Sequence, residues 1–204
     1  MKKLLFAVTA LAALSLLAPS TGFAQGAYNQ LGVYTDEHMA DTTYPATPYE
    51  NVSVYVVLSM PYDHGHEADI SAIGGVEFRF VVDGGNMDLA TAWANPQVTD
   101  VGNSANGHAA GFGNPSVVVD GHVLICTKSV LVTNVTGTYL YLTPIADGAS
   151  IEGAMAFLNS DFLADPLTAM YPSSGATEEP VFGFNTGVTA TDDASMDQIK
   201  AMYR

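Results

Sequence analysis

Apolar and polar residues alternate along much of the chain, and this pattern predicts short β-strands. From Gly75 to Val82 the apolar residues Val76, Phe78, Phe80 and Val82 are interleaved with polar ones. A period of two predicts a strand with one face in the core and the other in solvent. The segment Asn51–Met60 is rich in valine, which also favours a strand. Another long strand is predicted at residues 122–133, and shorter ones at residues 31–35, 138–145 and 180–185.

Turn-forming residues separate these segments, as at Asp83-Gly84-Gly85-Asn86, where glycine and asparagine tolerate a positive φ. Residues 86–116 are less regular and predict a short helix at Met87–Ala94, followed by a long surface loop from Gly102 to Asn114. Seven to nine strands result. Turns at the roughly 8–12-residue spacing of sandwich folds predict an all-β protein, an antiparallel Ig-like β-sandwich, over any α/β arrangement.

The start of the chain has the pattern of a secretory signal peptide. Two lysines precede an apolar run from Leu4 to Ala18, and small residues stand at Gly22 and Ala24. We therefore predict a signal peptide helix over residues 1–24, with cleavage before Gln25. The alternative, a retained membrane anchor, is disfavoured because the apolar run falls short of the ~20 residues that span a bilayer. The mature protein is then expected to be secreted, periplasmic or extracellular, without a membrane span.

The end of the chain predicts a short helix. Met196, Ile199 and Tyr203 recur at helical spacing, and Thr191 or Asp192 is suited to cap the first turn. The chain thus divides into the signal peptide, a single β-sandwich domain over residues 25–190, and a helical tail over residues 191–204. A mature chain of this length is enough for one sizeable core.

Charge and cysteine content narrow the classes of partner. Cleavage would leave four cationic side chains against 21 carboxylates. Nucleic acid is therefore excluded as a partner and anionic lipid is repelled, whereas extracellular proteins, polysaccharides and divalent cations remain open. Because Cys126 is the single cysteine, no intramolecular disulfide can form even in an oxidising compartment. The sequence leaves the oligomeric state open.

Two segments resemble known secreted proteins. The valine-rich strand and the following Ile73-Gly74-Gly75-Val76-Glu77-Phe78-Arg79-Phe80 resemble the early strands of cohesin-like and carbohydrate-binding-module-like sandwiches of secreted bacterial proteins. The ending Asp197–Arg204 is similar to the tails of uncharacterised small secreted proteins from environmental bacteria. The resemblance implies a cohesin-like fold and an extracellular location. It transfers no dockerin-contact residue and no activity.

The segment Asp63–Asp69 is the densest group of metal-ligating side chains. His64 and His66 can face the same way in an extended chain, and Glu67 and Asp69 follow them. Imidazole nitrogen and carboxylate oxygen suit zinc, so these four residues are the candidate metal ligands. Two histidines cannot complete a tetrahedral site, and a third ligand would come from Glu67, Asp69, or a distant residue such as His38 or His108. The alternative interpretation is a solvated loop between two strands.

Other candidate chemistry is weaker. Acidic turns such as Asp83–Asp88 are compatible with calcium, although ordinary turn chemistry explains them equally. His122 and Cys126 would lie about 13 Å apart on a strand, so a buried core thiol is favoured over a nucleophile. The chain contains no Gly-x-Ser-x-Gly. Tyr139 and Tyr141 share one strand face, either as half-buried packing or as a platform for sugars.

These observations predict a secreted, non-catalytic extracellular module for adhesion, surface assembly or ligand binding, rather than an enzyme. The alternative is a metal-dependent enzyme or a periplasmic metal-binding protein that uses the Asp63–Asp69 segment, for which zinc is the suitable ion. Calcium, the other possible ion, would bind at the acidic turns.

Overall fold

The computed structural model describes residues 28–102, 106–134, 137–164 and 166–186, and within them the chain is all-β, without a helix. The fourteen strands are Gln30–Tyr34 (β1), Thr43–Tyr44 (β2), Glu50–Ser59 (β3), Tyr62–Asp63 (β4), Ala68–Asp69 (β5), Ala72–Val82 (β6), Met87–Trp93 (β7), Val98–Asp100 (β8), His108–Val117 (β9), His122–Val132 (β10), Thr138–Thr143 (β11), Met155–Asn159 (β12), Leu167–Pro172 (β13) and Phe182–Phe184 (β14). The strands predicted near residues 31, 51, 75, 122, 138 and 180 are all present, and the total exceeds the predicted seven to nine because several strands are only two or three residues long.

Twelve of these strands belong to one sheet. Ten follow one another in the order β2-β14-β11-β6-β12-β13-β1-β3-β10-β7, while β9 pairs with β6 and β8 pairs with β9. The long strand β6 is the branch point, because residues 79–82 pair with β11 whereas its first half pairs with both β12 and β9. Strands β4 and β5 form a separate hairpin.

The prediction that all strands are antiparallel is wrong at two strand pairs. β1 runs parallel to β13, and β2 runs parallel to β14. In both pairs the partners come from opposite ends of the described chain. Such long connections permit either direction, whereas a tight hairpin permits only the antiparallel one.

The prediction of a short helix at Met87–Ala94 is also wrong. These residues form β7, which pairs with β10 from Cys126 opposite Trp93 to Leu131 opposite Met87. Alanine and leucine in this segment are good helix formers, but pairing along a whole neighbouring strand outweighs local propensity.

The predicted loop from Gly102 to Asn114 is wrong over its second half, which belongs to β9. The glycines of this segment allow the backbones of β6 and β9 to approach closely. Gly75 on β6 lies opposite Gly111, and a Cβ atom at Gly75 would approach the carbonyl oxygen of Ala110 to 2.6 Å. Glycine in a strand permits this close approach of two backbones.

The core is built from alternate residues of the long strands. Val52, Val54, Val56 and Leu58 of β3 are buried together with Phe78 of β6 and many other apolar side chains. β10 contributes the core residues Cys126, Val130 and Val132, and between them it places Lys128, which lies opposite Val54 in the strand register. A lysine therefore occupies a core position of the sheet.

Two predicted elements lie outside the described residues, namely the signal peptide at 1–24 and the helix at 191–204. In the part of the chain that the structure describes, no helix is long and apolar enough to cross a membrane.

Candidate functional site

The segment predicted to bind metal is the β4–β5 hairpin, and the buried Asp63 organises it. One carboxylate oxygen of Asp63 accepts hydrogen bonds from the backbone N–H groups of Gly65 (2.8 Å) and His66 (3.1 Å). The other lies 2.9 Å from Nδ1 of His66 and accepts a hydrogen bond of 3.0 Å from the side chain of Asn159. The hydrogen bond from the His66 side chain is the largest of the effects that lower the pKa of Asp63.

The two histidine side chains of this hairpin pack against neighbouring aromatic rings. The ring of His66 stacks on Phe162 with centroids 4.1 Å apart and an interplanar angle of 6°. The ring of His64 meets the ring of Tyr62 edge-on at 5.0 Å. The hairpin is thus held by stacking and by the Asp63 carboxylate.

The remaining candidate ligands lie apart from one another or are bonded elsewhere. Glu67 and Asp69 are exposed. His38 is exposed beside Glu37, at 3.9 Å. His108 lies in the core and is hydrogen-bonded through both ring nitrogens. Among the described residues, no three or more histidine, cysteine or acidic side chains are grouped as a metal would require. Metal binding at this hairpin stays a prediction.

A second cluster, which the sequence analysis missed, surrounds the side chain of Lys128. This side chain is 1 % exposed, and its Nζ atom has three polar neighbours, of which Asp88 and Thr91 are half-buried and His108 is buried. They are Asp88 Oδ2 at 2.6 Å, Thr91 Oγ1 at 2.7 Å and His108 Nε2 at 3.0 Å. Asp88 and Thr91 come from β7, and His108 is the first residue of β9.

The polar chain continues from His108 to Asp100. Nδ1 of His108 lies 2.7 Å from Oδ2 of Asp100, whose other oxygen accepts hydrogen bonds from the backbone N–H groups of Gly102 (3.0 Å) and Ala109 (3.2 Å). The rings of Trp93 and His108 are perpendicular to each other, with an interplanar angle of 89° and centroids 5.3 Å apart. We call this group the Lys128 cluster; it consists of Asp88, Thr91, Asp100, His108 and Lys128.

Hydrogen bonds and an aromatic ring offset the cost of burying the lysine. Isolated charges are expensive in an apolar core unless they are paired and hydrogen-bonded. Here the cation lies 5.0 Å from the centre of the Phe80 ring, in addition to its three polar contacts. Oδ1 of Asp88 is buried without a hydrogen-bond partner, so the carboxyl group of Asp88 is held only through Oδ2.

In the Lys128 cluster, the carboxyl group of Asp88 contacts the amine of Lys128, which contacts the imidazole of His108, which in turn contacts the carboxyl group of Asp100. The tautomer of His108 that donates its Nδ1–H to Asp100 presents an Nε2 lone pair to Lys128, which makes Nε2 a hydrogen-bond acceptor there. One sequence signal was available, because Lys128 falls in the same alternating register as Cys126 and Val130. The sequence did not indicate that His108 and Asp100 would join Lys128, since they lie on another pair of strands, β9 and β8.

Cys126 is a buried core thiol, as predicted. It is 0 % exposed, and burial raises its pKa to about 12. A thiolate is the reactive form of cysteine, so this residue is inert in the folded protein.

The surface of β6, β9 and β12 carries a shallow groove of about 210 Å³. Its floor is formed by small residues, among them Gly75, Ala109, Gly111 and Ala156. A Cβ atom added at Gly111 would meet no atom within 4 Å, so this position opens directly into solvent. At the groove, Glu77 accepts hydrogen bonds from the N–H and hydroxyl groups of Ser150 at 2.8 and 2.7 Å.

Comparison of the chain with protein-family models, with curated proteins and with solved structures finds no match. The resemblance to cohesin-like sandwiches stays a prediction.

Proposed function

We propose that this protein is a secreted, non-catalytic module with a cohesin-like β-sandwich fold, and that it assembles with another extracellular protein. The sandwich is supported by the two runs of neighbouring strands, β13-β1-β3-β10-β7 and β12-β6-β9-β8, whose alternate residues contribute to one core. The tyrosine and histidine side chains of the β4–β5 hairpin act as packing in this proposal.

The observation that carries the proposal is the open groove on β6, β9 and β12. Small side chains leave room for an incoming side chain, and Leu158 and Leu167 add apolar surface beside it. Interfaces of this kind gain affinity when an apolar anchor fills a desolvated pocket. Glu77 lies at the same groove and has carboxylate lone pairs to accept a hydrogen bond from a partner.

The groove favours a polypeptide over a sugar as its occupant. Sugars are commonly bound by stacking on an exposed aromatic ring, and Phe157, the aromatic residue at this groove, is only 1 % exposed. The excess of carboxylates over cationic side chains also favours a partner with a basic or neutral surface.

A substitution at Gly111 tests the proposal, because a side chain there fills the groove without meeting neighbouring atoms. The purified protein is immobilised, and binding is measured to surface and secreted proteins of the producing bacterium and to a glycan array. We expect saturable binding to one identified protein, which Gly111→Arg reduces at least tenfold. Ala92→Arg, an equal change at an exposed position of β7, should leave the affinity unchanged.

Two results would contradict the proposal. Equal binding by Gly111→Arg and Ala92→Arg would remove the groove as the docking surface. Binding confined to glycans would replace the protein partner with a polysaccharide.

A further inference from the structure

We infer that Lys128 and Asp88 condense inside the folded protein into an amide bond that joins β10 to β7 covalently. The two side chains are 40 residues apart in sequence, and their Nζ and Oδ2 atoms are 2.6 Å apart. Because Oδ2 is bonded to the carboxyl carbon, the lysine nitrogen lies beside the carbon that it would attack. This inference is independent of the function proposed above.

The surroundings hold the two groups in a reactive position. Lys128 is 1 % exposed, and its Nζ atom is held by hydrogen bonds to three polar neighbours. The carboxyl group of Asp88 is held through one oxygen only, since Oδ1 has no hydrogen-bond partner, so it can turn its face towards the nitrogen. Holding two reactants in this way gives effective molarities on the order of 10⁵ M or more, which favours an intramolecular condensation.

The step balances without an oxidant, a reductant or a second substrate. A proton passes from the Lys128 ammonium to Asp88 along the hydrogen bond that joins them, leaving an amine and a carboxylic acid. The amine nitrogen attacks the carboxyl carbon and transfers a second proton to Nε2 of His108, 3.0 Å from Nζ. His108 returns that proton to the hydroxyl group as the carbon–oxygen bond breaks. One carbon–nitrogen bond forms, and one water molecule leaves.

His108 is placed for this transfer, and Asp100 positions it. The contact of 2.7 Å between Nδ1 and Asp100 Oδ2 keeps the Nδ1 proton away from Lys128 and stabilises the imidazolium formed during the step. The released water has a way out, because Asp88 also lines a surface cleft beside residues 79–82.

Burial favours the product over the ion pair. The Asp88 side chain is 20 % exposed, whereas the Lys128 side chain is 1 % exposed, so most of the desolvation cost falls on the lysine charge, and this cost disappears when an amide replaces the ion pair. The bond would also fasten β7, the last strand on the main path of the sheet, in a protein whose single cysteine cannot supply a disulfide.

Trypsin digestion of the denatured full chain, followed by mass spectrometry, tests the inference. Trypsin does not cleave after an acylated lysine, and Arg79, Lys128 and Lys200 are the relevant cleavage sites. We expect a single peptide spanning residues 80–200, lighter than its sequence mass by one water molecule. Separate peptides 80–128 and 129–200 at full mass, from protein incubated in its folded state, would overturn the inference.

Lys128→Arg is the matched control, because it keeps the positive charge and cannot form the bond. Its intact mass should equal its own sequence mass, whereas the crosslinked wild-type protein should be one water molecule lighter than its own sequence mass. Aspartates followed by glycine, such as Asp83 and Asp120, can also lose water by cyclising on themselves. A loss of water that persists in Lys128→Arg would therefore overturn the inference. His108→Gln should form the bond at least tenfold more slowly, and an unchanged rate would remove His108 from the step.

Discussion

Asn86 joins the turn before β7 to the turn after β10, and its replacement by alanine should lower the free energy of unfolding substantially. Its side-chain oxygen accepts hydrogen bonds from the N–H groups of Thr133 (2.5 Å) and Asn134 (2.9 Å). Its side-chain nitrogen donates to the hydroxyl group of Thr138 at 2.8 Å, and Thr138 is fully buried. The strands that carry Asp88 and Lys128 therefore begin and end at one buried amide.

The size of the effect follows from these three bonds. Each contributes about 0.5–1.5 kcal/mol. Asn134 is exposed, so water can replace one of the three bonds. The Thr138 hydroxyl is out of reach of water, but it keeps its own hydrogen bond of 2.8 Å to the carbonyl oxygen of Asn134. We expect Asn86→Ala to destabilise the protein by about 2–3 kcal/mol.

Urea unfolding followed by the fluorescence of Trp93, the only tryptophan, measures this change. Asn51→Ala is the matched control, because Asn51 makes its hydrogen bond of 2.6 Å to Ser129 in an exposed position on β3. It should cost about 0.5 kcal/mol or less. Equal effects of the two substitutions would refute the assignment of Asn86 as a buried link between the turns.

Three further predictions concern single sites. Cys126, buried and with its pKa raised to about 12, should fail to react with a thiol reagent at neutral pH until urea unfolds the chain, and rapid labelling of the native protein would contradict this. Because the folded-state pKa of Asp63 is lowered, its stabilisation is complete above the ordinary value of 3.8 and is lost as pH falls through the lowered value. At acid pH, the melting temperature of Asp63→Asn should thus change less with pH than that of the wild type. Parallel curves of melting temperature against pH for the two proteins would refute this prediction. Zinc titration of chelator-treated protein decides the metal prediction, since equal, weak binding by the wild type and by His64→Ala/His66→Ala would remove it.

The sequence predicted only part of each candidate site, and strand packing determined the rest. The Asp63–Asp69 hairpin was visible in the sequence because its polar residues are neighbours along the chain. Its actual contacts were not, because Asn159 and Phe162 come from the region around β12. The Lys128 cluster was hidden for the same reason, since β7, β8, β9 and β10 each contribute to it.

The sequence by itself determined the all-β character of the described chain and the positions of its main strands. Alternation with a period of two is a local property, and Val76, Phe78 and Phe80 lie on the core side of β6 as that period requires. Cys126 in the core followed from its position in an apolar strand.

Only the tertiary structure decided which strands are neighbours, and in which direction they run. Met87–Trp93 became a strand because β10 offered a full edge for pairing, and β1 became parallel to β13 because no short turn constrains the two. The pairing of β10 with β3 and β7 directs the Lys128 side chain towards the core. There it contacts Asp88 of β7 and His108 of β9. Hydrogen bonding between strands distant in sequence creates these neighbours, and the pattern of a single segment carries no information about its partner.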